Sequence, residues 1–340
     1  MIKLKEIVES IPALKEGGKL FGSRAQRVST ADMNTIFNDL QKRLGDKFAK
    51  FKLSRALPTK ADHGDIDIVA SGNQHVYNTL KQFLGPFMVD YSKNGNIHSV
   101  LYHNDTLNKT VHVDVIMSPE EEFDANYDYL SYNDFSGILG IIARKLHYKY
   151  GNQGFFKIYE DKSGRNNEIL LTKNLREGLV ILGYKNVLNK FDKIQTVQDI
   201  VDFIAASDLF DSQQVSDTGM NRGDRKRSRP SRPTAKAIRD GLVALNKTRK
   251  MEDEDHFLKQ EFPQHYQKLQ AEIEKIDNKT ISKSKYGGEW LMRNFPEIKP
   301  GPTIGKIKAF WQSIYGDQLD SVPETELLTK TKEFLRNSNG

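Results

Sequence analysis

An α+β fold with a small sheet, followed by further helical material, is what this sequence predicts. Three observations carry that expectation. The first 120 residues alternate between helical and strand periodicity in the order helix, strand, strand, helix, strand, strand. At roughly 100–200 residues per domain, 340 residues suffice for two. Between 212 and 233 apolar residues nearly vanish and Arg, Ser, Gly and Pro dominate, which reads as a flexible linker.

The elements follow in order. Thr30 precedes Asp32, and Met33, Ile36, Phe37, Leu40 and Leu44 then fall at helical spacing up to Gly45. Residues 50–54 read as a short strand. After the turn-forming Pro58-Thr59-Lys60-Ala61-Asp62-His63-Gly64, the residues Ile66, Ile68 and Ala70 alternate with Asp65, Asp67 and Val69, a period of two. A helix over 76–84 is stopped by Gly85-Pro86, and strands follow over 97–102 and 111–117. Residues 132–150 then place Phe135, Ile138, Leu139, Ile142 and Leu146 on one helical stripe. A hairpin over 155–171 precedes short helices at 175–182 and 197–204. Residues 234–277 read as charged helix, and a final compact piece, 285–334, holds both Trp290 and Trp311. The expected division is an N-terminal helical extension (1–46), a sheet domain (47–130), a smaller subdomain (131–210), a basic linker (211–235) and a helical module (236–340).

Composition narrows the function classes. The absence of cysteine excludes disulfides, thiolate metal sites, a Cys nucleophile and iron–sulfur clusters, and points to a reducing, cytoplasmic setting. Apolar runs such as 138–143 fall far short of the ~20 residues of a membrane helix, and the first ten residues lack a signal-peptide core. Net charge is +6, yet residues 213–250 hold eleven basic and three acidic side chains, so the excess is concentrated there. Such a segment suits a polyanion, because neutralised phosphates release counterions. Its alternative is a solvated tether.

The chemistry lies in His63-Gly64-Asp65-Ile66-Asp67-Ile68. On a strand, Asp65 and Asp67 project from one face with about 6–7 Å between their Cα atoms, so both can reach one ion or a close pair. Side by side they repel unless a cation lies between them. Asp114, in Val111-His112-Val113-Asp114-Val115-Ile116, can supply a third carboxylate from a neighbouring strand. An oxygen-only set of this kind favours Mg²⁺ or Mn²⁺ over zinc and suits two-ion phosphoryl transfer. A lone D-x-D can equally be the solvated face of an edge strand. No His-based zinc motif and no phosphate-binding glycine loop is present.

Leu53-Ser54-Arg55, then Lys60 and Gly64, precede these aspartates, with Ser54 eleven residues before Asp65. This resembles the nucleotidyltransferase signature of the DNA polymerase beta superfamily, in which Gly-Ser at a turn precedes D-x-D; here Leu53 replaces the glycine. Tyr132-Asn133-Asp134-Phe135, the hairpin with its Asp161-Lys162-Ser163-Gly164-Arg165 turn, and the helix ending Leu182-Gly183-Tyr184 are similar, in that order, to the sugar-facing segment and thumb of family X polymerases. The likeness covers roughly 47–205. It implies a palm with a thumb-like subdomain and two Mg²⁺ or Mn²⁺ ions on Asp65, Asp67 and Asp114. It further implies an NTP or dNTP held by Ser54, Arg55, Lys60, Gly64, Tyr132 and Asn133, and His112 near the primer end.

Gly288-Glu289-Trp290-Leu291-Met292 followed by Pro300-Gly301-Pro302-Thr303-Ile304-Gly305 resembles the carboxy-terminal segment of CCA-adding enzymes and poly(A) polymerases. Lys306 and Lys308 beside that helix start are candidate phosphate contacts, as are Arg225, Lys226, Arg227, Arg229 and Arg232 in the basic segment. The expected function is therefore nucleotide addition to a nucleic-acid 3′-hydroxyl on DNA or RNA, tRNA among the candidates. Two alternatives are transfer to a protein or small-molecule hydroxyl, and a nucleic-acid-binding protein whose active site has decayed.

Overall fold

The computed structural model describes residues 20–60, 62–132, 134–227, 232–299 and 301–338. The chain is mixed α+β and divides into two compact units, one comprising 1–158 and 170–263, the other 159–169 and 264–340.

The first unit is organised by helix α1 (Thr30–Leu44), strands β1 (Lys50–Leu53) and β2 (Ile66–Ser71), helix α2 (Val76–Leu84), and strands β3 (Met88–Asn94), β4 (Ile97–Asn104) and β5 (Lys109–Met117). The five strands form one mixed sheet in the order β1-β2-β5-β4-β3. β2 and β5 are parallel, while the other neighbours are antiparallel. Ser29 caps α1 by accepting from the Asp32 amide. Met33, Ile36, Leu40 and Leu44 of α1 and Val76, Leu80 and Leu84 of α2 pack on Ile66, Ile68, Ala70, Val100, Tyr102, Val111, Val113 and Val115. Period-two alternation therefore turns Asp67, His112 and Asp114 to the opposite face. Strand β3 escapes the sequence reading because Met88-Val89-Asp90-Tyr91-Ser92-Lys93 is half polar, as a sheet edge tolerates.

Helices α3 (Phe123–Tyr129) and α4 (Phe135–Lys145) follow, and α4 ends earlier than its apolar stripe predicts because the chain turns at His147 (φ 54°) into strand β6 (Tyr148–Gly151). Strands β7 (Gly154–Glu160) and β8 (Asn166–Thr172) complete a second sheet, in the order β6-β7-β8. Helices α5 (Leu175–Ile181), α6 (Val197–Ala205), α7 (Arg222–Arg227), α8 (Pro233–Ala244) and α9 (His256–Glu261) complete the first unit. Residues 211–235 are thus not a bare tether where they are described. Residues 212–215 form a 3-10 turn capped by Asp211, and α7 and α8 flank the stretch 228–231, which lies outside the described residues. Pro233 opens α8 at its first turn, and Ala235, Ile238 and Leu242 are buried there.

In the second unit, helix α10 (Pro263–Lys285) is followed by α11 (Gly288–Asn294), α12 (Pro302–Tyr315) and α13 (Glu324–Ser338), and these last three with their connections enclose Tyr286, Trp290, Leu291, Ile307, Trp311 and Leu327. Both indoles find partners, Trp290 on Glu324 and Trp311 on Thr331.

Candidate metal and nucleotide site

Asp67 and Asp114 are direct register partners across the parallel pair β2 and β5, and Asp65 lies at the turn immediately before β2. All three are partly buried. Burial, and then the charges of Asp65 and Asp114, push the Asp67 carboxyl up to about 7, against the opposing pull of His112 and Lys60. That is the behaviour of a buried carboxyl crowded by like charge.

Ligand atoms of Asp65, His112 and Asp114 lie within 4.8 Å of one another, close enough to surround a single ion. The group includes a histidine that the oxygen-only expectation leaves out: His112 stands among the acids, with Nε2 2.8 Å from Asp114 Oδ1. Burial alone would lower the imidazole, but the bond to Asp114 and the charges of Asp114, Asp65 and Asp67 hold it above its ordinary value. Two carboxylates with an imidazole fit a hard or borderline divalent cation.

A narrow cavity beside the acids is lined by Ser54, Arg55, Lys60, His63, Asp65 and Asp67. The Ser54 amide donates to the Asp67 carbonyl (2.9 Å), which sets its side chain at the strand end beside the acids. Leu53, at the position of the signature's glycine, packs against the core. Lys60 is buried at 5% exposure and acts electrostatically on Asp67. Gly64 is buried in the bend leading to Asp65. His63 was not singled out from the sequence. It pairs with Val28 through backbone bonds, approaches Thr30 Oγ1 at 3.0 Å, and is lowered to about 4 by burial and the Lys60 charge.

Arg55 reaches the cavity wall, but its guanidinium is committed elsewhere. It donates to Asp128 Oδ1 (2.9 Å) and Ser131 (3.1 Å), pairs with Asp192 (2.8 Å), and stacks over Tyr127. Arg176 completes the network by pairing with the same two aspartates. Tyr132 likewise differs from its expected role. It is buried at 2% exposure with φ 60°, and its ring meets Phe135 and Phe191 edge-on. A left-handed backbone in a bulky residue is a strained conformation held by this packing. Asn133 lies outside the described residues.

Of the basic residues singled out, Arg225 donates to the carbonyls of Asp217 and Met220, and Arg232 pairs with Asp134 (3.0 Å). Arg229 and the side chains of Lys226 and Arg227 lie outside the described residues. Lys306 and Lys308 are exposed on α12, whose first residue is Pro302. Comparison with protein-family models and with curated proteins returns no match.

Proposed function

We propose that the chain is a divalent-metal-dependent nucleotidyltransferase with a polymerase beta-like palm, joining a nucleotide from an NTP or dNTP to a nucleic-acid 3′-hydroxyl. The observation that carries this reading is the convergence of Asp65, Asp67 and Asp114 beside a cavity holding Ser54 and Lys60. In the reaction the hydroxyl oxygen attacks the α-phosphorus, the bond to the bridging oxygen breaks, and pyrophosphate leaves with the negative charge. Mg²⁺ or Mn²⁺, when bound, would acidify the attacking hydroxyl and neutralise the triphosphate.

The chain's own residues have separable parts. Asp65 and Asp67 face the triphosphate side through the shared cavity. Asp114 lies on the adjoining strand, nearest the acceptor and the proton it loses. Ser54 Oγ makes no hydrogen bond among the described residues and can donate to a phosphate oxygen, while the Lys60 ammonium supplies charge from a buried position. The basic stretch around 222–250 and Lys306 and Lys308 would bind the nucleic-acid backbone.

The test is incorporation of labelled NTPs and dNTPs with Mg²⁺ or Mn²⁺ into DNA, RNA including tRNA, and protein acceptors. Incorporation should be lost in Asp65→Ala and Asp114→Asn; unchanged incorporation in either refutes the reading. Label on protein instead of nucleic acid would reassign the acceptor.

A further inference from the structure

Asp114 is gripped on one oxygen by two donors. Ser99 sits directly across the β4–β5 register from it and donates through its hydroxyl to Oδ1. His112, two residues earlier on β5 and hence on the same face, donates to that same oxygen. Oδ2 accepts no hydrogen bond among the described residues. A carboxylate with one oxygen occupied in this way has its plane and its second oxygen oriented before any ligand arrives.

The clamp is itself supported. Ser99 and His112 are each buried, and Phe21 stands edge-on to the imidazole with ring centroids 5.0 Å apart. His112 Nδ1 is buried with no hydrogen-bond partner among the described residues. That orphan atom and the engagement of Nε2 by Asp114 together bear on the two roles open to the ring. As a ligand through Nε2, the imidazole would carry its remaining proton on Nδ1, leaving a buried donor unsatisfied. Ligating histidines almost always donate that second N–H to an acceptor. As a donor to Asp114, Nε2 carries the proton itself and offers no lone pair to an ion, whatever Nδ1 holds.

We infer that Ser99 and His112 are positioning residues which together clamp Oδ1 of Asp114 and present Oδ2 to a divalent cation, with His112 itself not a ligand. This rests on the reading that Asp114 binds the ion. The sequence offers no sign of Ser99, which lies on a strand whose residues carry no motif.

The experiment is Mn²⁺ titration of the full chain, followed by electron paramagnetic resonance of the free ion, with no substrate present. Ser99→Ala should weaken Mn²⁺ binding about tenfold or more, the usual cost of losing a partner that orients a ligand. Ser99→Thr, which keeps the hydroxyl, should restore it. His112→Phe, which keeps a ring against Phe21, should weaken binding similarly and carries the test if Ser99→Ala does not fold. Pulsed measurements on the bound Mn²⁺ should lack imidazole-nitrogen coupling. Wild-type-like affinity in Ser99→Ala, or a directly coordinated nitrogen, overturns the inference. If instead wild type binds Mn²⁺ no better than Asp114→Asn, it is the cation reading that falls.

Discussion

Replacing Asp67 by Asn should make the metal-free protein more stable at neutral and alkaline pH, the reverse of what losing a buried carboxylate usually does. The Asp67 carboxyl rises from 3.8 to about 7 in the fold, first through burial and then through Asp65 and Asp114. The folded value exceeds the unfolded one, so the folded state holds more protons between them, and stability falls as pH rises through that window. At about 1.36 kcal/mol per pH unit, ionising Asp67 costs the fold about 4 kcal/mol above pH 7. Asn keeps the shape and removes the charge. Its advantage should therefore grow steadily from about pH 4 to pH 7 and level off beyond. Urea unfolding of both proteins at pH 5, 6, 7 and 8 in chelator, followed by circular dichroism, reads this directly. Mn²⁺ at a hundredfold excess over Kd should narrow the gap by about 2.7 kcal/mol, by stabilising wild type alone. A variant less stable than wild type at pH 8 without metal, or a difference that does not vary with pH, refutes the account of Asp67 as a carboxyl raised by burial and like charge.

Three further outcomes are expected. Arg55→Ala should cost about 1–3 kcal/mol in urea unfolding, because the buried Asp128 loses one of its two arginine partners. Gly183→Ala should destabilise by more than about 1 kcal/mol: φ is +88°, and a Cβ would stand 2.7 Å from Ser207 Oγ and 2.8 Å from the Phe257 ring. Replacing Arg225, Lys226, Arg227 and Arg229 together should flatten the salt dependence of nucleic-acid affinity, by about 0.7–0.9 in the log–log slope for each phosphate no longer neutralised. An unaltered slope would make that segment a passive support.

Much of the local structure is legible in the sequence. The Ile66, Ile68 and Ala70 alternation marks β2 and puts Asp65 and Asp67 on one side because strand periodicity is a property of two or three residues at a time. The α1 helix is written in its apolar spacing, while its cap is Ser29, one residue before the Thr30 from which the sequence pattern starts it. Less visible were β3 and β6, whose strand state depends on neighbours and not on their own pattern.

What tertiary structure alone decided is which distant groups meet. The Asp67–Asp114 register depends on a parallel pairing of strands far apart in the chain, and the Ser99 hydroxyl reaches Asp114 only because β4 pairs beside β5. Arg55 looked like a phosphate ligand from its place after Ser54, but its partners lie at 128, 131 and 192, where no local pattern announces them. Residue type and spacing determine which chemistry a segment can offer and which face it turns. Whether a charged side chain is left open to a ligand or consumed by an ion pair is an energetic competition among groups widely separated in sequence, and only the folded arrangement resolves it.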